Sequence, residues 1–335
     1  MIDREDIFQP AEQVIDIVEW PVHDDYEVFP IGARDKSLRI CPVSEAHPFC
    51  IGGHRYLFKE AIKSAKDPRQ PKFPDQYWSE IIAFKIGRLM NLNVPPAFAA
   101  FNSDTDQPGA LIEWFTGYPE QHIERFTAGG DHMQRLIKNY DRDKGREHNL
   151  ATITVFSKAL AQHRLLNHDW KEYWGLCLCY DALIGNTDRH QENWGVLWNE
   201  HAKTARFTPY FDNGTSLGYE IFPNKFLKLR QNKDMLNAYL RRGRHQMKWE
   251  ITSEKRLPLM QGVIDYAKEY PQIIPILINS LMWNEADLEE ILTQLVSFEL
   301  KFRLSRDRAD FVYFLTVRRR KLLLESLEKL RDELH

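Results

Sequence analysis

Asp188 and Asn193 stand five positions apart in the run Gly185-Asn186-Thr187-Asp188-Arg189-His190-Gln191-Glu192-Asn193, and Asp212 follows in Pro209-Tyr210-Phe211-Asp212-Asn213-Gly214. Side chains of these types are what phosphoryl transfer requires. An Asp within reach of an acceptor hydroxyl orients it and takes its proton, while an Asn and a second Asp offer the hard oxygens that magnesium prefers.

The same residue types also make ordinary turns, so the elements around them must decide. Trp194 to Trp198 and Ala205 to Phe211 read as two short apolar strands about the polar turn Asn199 to Thr204. With the turn centred between Ala202 and Lys203, paired positions sum to 405, as 193 and 212 do. Asn193 and Asp212 are therefore expected to face each other across the open end of a hairpin, roughly 5 Å apart at Cβ, within reach of one cation. Ahead of the loop, Glu172 to Ile184 is apolar almost all round, which predicts a buried helix. Gly185 is placed to end it in the left-handed conformation, so a rigid element delivers the polar loop.

A nucleotide would need a second wall. His54-Arg55-Tyr56-Leu57-Phe58-Lys59 follows Gly52-Gly53 and Pro48-Phe49-Cys50-Ile51, which predicts a hairpin with Lys59 at the end of its second strand. Tyr77 to Met90 carries apolar residues at helical spacing, with Glu80 near its start. A strand lysine paired with a helix glutamate is the arrangement that holds a lysine against phosphates. Upstream, Ile31-Gly32-Ala33-Arg34-Asp35-Lys36-Ser37-Leu38 is a polar, glycine-bearing segment entering a strand, whose N–H groups can curl over phosphates with Lys36 adding charge. Ala110-Leu111-Ile112-Glu113-Trp114-Phe115 is an apolar strand with one acid, read either as a hinge meeting the adenine edge or as an edge strand with an outward Glu.

The whole chain permits this. Its 335 residues can bury a full core, and 43% apolar with 28% charged residues is an ordinary globular composition. A net charge of -3 gives no global attraction to nucleic acid, and direct nucleic-acid binding is not expected. No apolar run reaches membrane-spanning length and the acidic start is not a signal peptide, so the expected address is cytoplasmic. Of the four cysteines, Cys177 and Cys179 lie on the apolar helix at a spacing that turns them to different faces, as core thiols. A shift from short strands to helices near Phe115 to Pro119 predicts an α+β chain with a smaller β-rich lobe over 1–115 and a larger, mainly helical lobe over 116–335.

The D-x-x-x-x-N spacing is that of protein-kinase catalytic loops, and the segments together resemble the HipA-like serine/threonine kinases of the protein-kinase-like superfamily. The resemblance runs over about residues 29 to 217 and is closest at Gly185 to Asn193 and Tyr210-Phe211-Asp212. It implies a two-lobed kinase-like fold with Asp188 as the catalytic aspartate and Asn193 and Asp212 as magnesium ligands. It further implies Lys59 as the nucleotide lysine paired by Glu80, Gly32, Ala33 and Lys36 as the phosphate-covering loop, and Glu113, Phe115 and His190 among the nucleotide-binding residues. ATP and Mg2+ are the implied cofactors, a serine or threonine on a protein the implied acceptor, and a DNA-binding antitoxin an implied partner. Some relatives are secreted effectors. The stretch Phe29-Pro30-Ile31 lacks the serine that many relatives autophosphorylate, and the short amino terminus is similar to the compact CtkA-like forms.

Two other readings follow from the same residues: a kinase for a lipid headgroup or small molecule, and a nucleotide-binding interaction module without turnover. Lys225 to Arg256, with ten basic residues against three acids, reads as a docking surface or a solvated face. Asp287 to Phe302 and Phe311 to Leu334 are amphipathic helices expected in the core of the larger lobe, with Arg318-Arg319-Arg320-Lys321 facing water.

Overall fold

A computed structural model describes residues 7–23, 36–43, 48–65, 67, 70–119 and 124–334. Gly32 and Ala33 of the expected phosphate-covering loop lie outside the described residues.

Strands β1 (Ile15–Asp16), β2 (Lys36–Ile40) and β3 (Arg55–Glu60), helix α1 (Trp78–Leu89), and strands β4 (Ala97–Asn102) and β5 (Gln107–Glu113) build the first part of the fold. The strands form one sheet in the order β1-β4-β5-β3-β2, antiparallel except where β1 meets β4. Residues 56 to 59 of β3 are all buried because both faces of the sheet are covered. Tyr56 and Phe58 join Trp20, Phe49 and Phe98 on one face, and Leu57 joins the α1 residues on the other. Side chains alternate along a strand, so Lys59 points to the α1 face with Leu57.

The hairpin partner of β3 differs from the expected one. β2 pairs with it, Lys36 opposite Lys59, whereas 48–50 is turn and bend and Ile51 is outside any strand. Pro48 has no N–H to give a ladder, and the neighbours Phe49 and Cys50 are both buried rather than alternating. The connection closes where Gly53 donates to the Cys41 carbonyl at 2.7 Å with φ +76. Nor is β5 an edge strand: it is central, and Glu113 is fully buried, accepting from the Tyr118 hydroxyl at 2.9 Å and the Tyr56 hydroxyl at 3.3 Å.

The remainder is mainly helical. β6 (Arg125–Ala128) leads into α2 (Gly129–Leu136), α3 (Leu150–Gln162) and α4 (Trp170–Ile184), followed by the hairpin β7 (Gly195–Asn199) and β8 (Thr204–Phe207), which pairs with β6. Then come α5 (Phe226–Gln231), α6 (Lys233–Arg242), the pair β9 (Arg244–Lys248) and β10 (Arg256–Pro258), α7 (Leu259–Glu269), α8 (Ile274–Ser280), α9 (Glu285–Val296) and α10 (Arg306–Leu334). As its composition predicts, α4 is buried nearly all round and ends on Gly185 at φ +71. Cys177 and Cys179 are buried free thiols. Among the described residues no helix is long and apolar enough to cross a membrane.

Two expectations about the carboxy-terminal part are corrected. The β7–β8 ladder pairs Asn199 with Thr204 and Val196 with Phe207, two positions tighter than the expected register. The Asn199 side chain accepts from the Ala202 N–H at 2.8 Å and Lys203 takes a left-handed φ of +53, which closes the turn early. Asn193 and Asp212 are thus not ladder partners: past Thr208 comes Pro209, and the Tyr210 N–H turns to the Asn93 carbonyl at 2.9 Å. In the basic run of α10, Arg319 is buried with its guanidinium on the Ile184 carbonyl at 3.2 Å. Arg320 reaches the Leu281 and Trp283 carbonyls and Glu285. Each guanidinium turns inward to backbone carbonyls near the ends of other helices, where its charge is solvated by the protein instead of water.

Candidate active site

Lys59 ties the sheet to the helical part. Lys59 Nζ lies 2.8 Å from Glu80 Oε1 and 2.6 Å from Asp212 Oδ1, with its side chain only 6% exposed. The parity of β3 and the first turn of α1 bring Lys59 and Glu80 together. The other Glu80 oxygen accepts from the Asn213 N–H at 2.9 Å. Gln76 and Ser79, also at the start of α1, donate to the carbonyls of Gly214 and Ser216 at 3.2 Å each. Segment 212–216 is therefore stitched to α1 across the junction.

Around this junction is a cleft lined by Lys36, Leu57, Lys59, Ile112, Glu113 and Phe115 on one side and Phe126, Glu192, Asn193, Phe211 and Asp212 on the other. Phe115 packs against Phe211 at 4.9 Å and Phe126 at 5.5 Å between ring centroids. The cleft thus has an apolar end and a charged end, the division a nucleotide base and its phosphates call for.

The charged end has a donor set of hard oxygens. Asn193 Nδ2 donates to the Asp188 carbonyl at 2.7 Å, which leaves Oδ1 as the oxygen available to a cation. Asp212 holds a left-handed φ of +58 and presents a carboxylate whose side chain is 29% exposed. An amide oxygen beside a carboxylate fits a small divalent ion such as magnesium. Asp188 is half-buried on the same loop and is not among the residues lining the cleft. Neither is His190, whose Nδ1 accepts from the Glu192 N–H at 3.1 Å within its own loop.

The residue that organises the loop is one the sequence reading passed over. Arg189 is fully buried and pairs with Asp181 at 2.7 and 3.0 Å. It also donates to the Asn193 carbonyl at 3.0 Å, to the Asn213 side chain at 2.9 Å and to the Phe211 carbonyl. Burial works against its charge, and the adjacent Asp181 carboxylate more than offsets that, so its pKa is raised. The signal was present: an Asp in an otherwise apolar helix must find a cation. His148 is the other hidden support, its Nε2 accepting from Trp194 Nε1 at 3.0 Å. Burial pushes this imidazole down to about 3, so it stays neutral.

The fold has a solved counterpart. The structure matches the crystal structure of a Helicobacter pylori proinflammatory kinase, CtkA, with a TM-score of 0.67 over 96% of this chain and 100% of that one, at 17% sequence identity. The chain has the CtkA fold. The expected α+β, two-lobed kinase-like architecture is therefore the one adopted: a β-rich part, a mainly helical part and a β-hairpin beside the loop between them. The resemblance read from the sequence also has a direct counterpart in the serine/threonine-protein kinase CtkA of H. pylori strain J99, 36% identical over 66 residues. That match spans about a fifth of each chain, 20% of both. A more distant match is HipA of Shewanella oneidensis MR-1, solved with HipB and its operator DNA, at TM-score 0.43 and 11% identity over 93% of this chain and 70% of that one. No family model matches the sequence.

Proposed function

We propose that the chain is an ATP- and magnesium-dependent serine/threonine protein kinase of the HipA-like type, acting as a bacterial toxin or effector on a protein target. Residues 1–115 form its nucleotide lobe and 116–335 its catalytic lobe. The observation that carries this reading is the double engagement of Lys59 by Glu80 and Asp212 in the lining of a cleft that Asn193 also lines.

In this mechanism Lys59, held by Glu80, binds the nucleotide phosphates, and Lys36 adds positive charge opposite it on β2. Asn193 and Asp212 would hold magnesium, which would supply positive charge against the phosphates. The apolar end formed by Phe115, Phe126 and Phe211 receives the base. Asp188 orients the acceptor hydroxyl and takes its proton as the oxygen bonds to the γ-phosphorus and the bond to the bridging oxygen of the departing ADP breaks. Arg189 fixes the loop so that Asp188 and Asn193 keep their spacing.

The test is phosphopeptide mass spectrometry of cells expressing the chain beside its Asp188→Ala form, with labelled ATP offered in parallel to protein extract and to lipid vesicles. Phosphoserine or phosphothreonine that requires intact Asp188 is the expected result. Label in lipid alone would replace the protein acceptor with a headgroup. Equal labelling by a folded Asp188→Ala protein would sink the mechanism.

A further inference from the structure

We infer that Arg142 is the fixed counter-charge that makes Glu192 tolerable beside the phosphate site, so that the two act as a positioning pair on which nucleotide binding depends. The inference rests on the kinase reading above and concerns a residue far from the loop in sequence.

Glu192 lines the cleft next to Asn193 and Asp212, and its side chain is only 9% exposed. A carboxylate there, one residue from the cation-holding Asn193, repels polyphosphate through a medium that screens poorly. It also competes for the magnesium. Arg142 removes both problems. Its Nε and Nη2 grip the two Glu192 oxygens at 2.8 and 2.7 Å in a fork, and its Nη1 reaches Asp131 Oδ1 at 2.6 Å. Asp131 is itself fixed at the start of α2, where it accepts from the Ala128 N–H at 3.2 Å.

The chain around Arg142 is shaped for this contact. A Cβ on Gly130 would lie 2.1 Å from Glu192 Oε1 and 2.8 Å from Arg142 Nε. On Gly145 it would lie 2.1 Å from Gln191 Oε1, and on Gly129 2.2 Å from the Trp194 ring. The Gln191 side chain returns a bond to the Arg142 carbonyl at 2.5 Å, and the Gly130 N–H reaches the Gln191 carbonyl at 2.8 Å. Glycines at three places thus let segment 129–145 close on residues 191 to 194, and the charge it brings there is Arg142.

The experiment compares the full chain, Arg142→Ala and Arg142→Ala/Glu192→Gln by calorimetric titration with Mg·ATP and by thermal unfolding. Arg142→Ala is expected to weaken nucleotide binding about tenfold or more and to lower Tm, since a lost partner leaves a poorly solvated charge. Neutralising Glu192 in that background should return the affinity to within about threefold of the parent and recover most of the Tm. A double variant no better than Arg142→Ala would mean that Arg142 serves packing alone and would overturn the inference, as would an Arg142→Ala protein that binds like the parent. A parent that binds no nucleotide would remove the kinase reading and with it the phosphate role. The Tm comparison, which needs no nucleotide, would still decide whether the two charges are coupled.

Discussion

Arg189 Nη2 lies 2.7 Å from Asp181 Oδ1 with both side chains sealed from solvent, and the same guanidinium holds the carbonyls of Asn193 and Phe211. One buried ion pair therefore joins the end of α4, the loop carrying Asp188 and the segment carrying Asp212. Removing one partner of such a pair strands the other charge without water. Asp181→Ala is expected to cost roughly 3–5 kcal/mol of stability, read as a lower urea midpoint at unchanged slope. A loss below about 1 kcal/mol would mean that the pair does not carry the loop.

Lys59→Met removes the buried cation that lines the cleft while keeping an unbranched apolar stem on β3. Phosphate transfer is expected to fall on the order of a hundredfold or more, as when one preorganised donor to developing charge is lost. Circular dichroism should show an intact fold. Full activity in this variant would detach Lys59 from the chemistry.

Asp212 separates charge from backbone. Its φ of +58 suits Asn far better than Ala. Asp212→Asn should keep Tm close to the parent yet lose magnesium-dependent transfer, whereas Asp212→Ala should lose the same activity and about 1 kcal/mol of stability besides. Measuring both variants by thermal melts and a magnesium titration distinguishes a metal ligand from a turn residue.

Three buried histidines set an acid limit. Burial lowers His132 to about 4, His148 to about 3 and His245 to about 4. An unfolded histidine titrates near 6.5, so below that pH the unfolded chain takes up protons that the folded chain refuses. The stability these groups contribute is therefore complete above about pH 7 and is lost as pH falls from about 6.5 toward 4. Protonating His148 also removes the acceptor for Trp194. Melts across this range should show a falling Tm, with a shallower fall in His148→Gln, and a Tm independent of pH would contradict the burial of neutral imidazoles.

Gly185 tests the joint between helix and loop. Gly185 sits at φ +71, and a Cβ there would lie 2.3 Å from the Arg319 guanidinium, which would have to move off the Ile184 carbonyl. Gly185→Ala should destabilise by about 1–2 kcal/mol from backbone conformation alone, more if Arg319 is displaced. It should also slow phosphate transfer by loosening Asp188. Calorimetric unfolding and the kinase assay together check this.

Much of the site was legible because its signals are local. The turn signal at Gly52-Gly53 placed Lys59 on a strand, helical spacing placed Glu80 near the start of α1, the nearly unbroken apolar run placed α4 in the core, and Gly185 marked its end. The turn of the β7–β8 hairpin misled, because the left-handed Lys203 and the Asn199 side chain closed it two positions early. Even so, Asn193 and Asp212 reached the same cleft, by Arg189 rather than by strand pairing.

By itself, then, the sequence determined the chemistry on offer and the short elements that present it, since residue type and backbone period act over a few positions. Only the tertiary structure decided that β2 rather than 48–51 pairs with β3, that Arg319 and Arg320 turn inward, and that Arg142 meets Glu192. Where a charged side chain comes to rest depends on which distant groups take it out of water and repay its lost solvation, and no stretch of neighbouring residues specifies those partners.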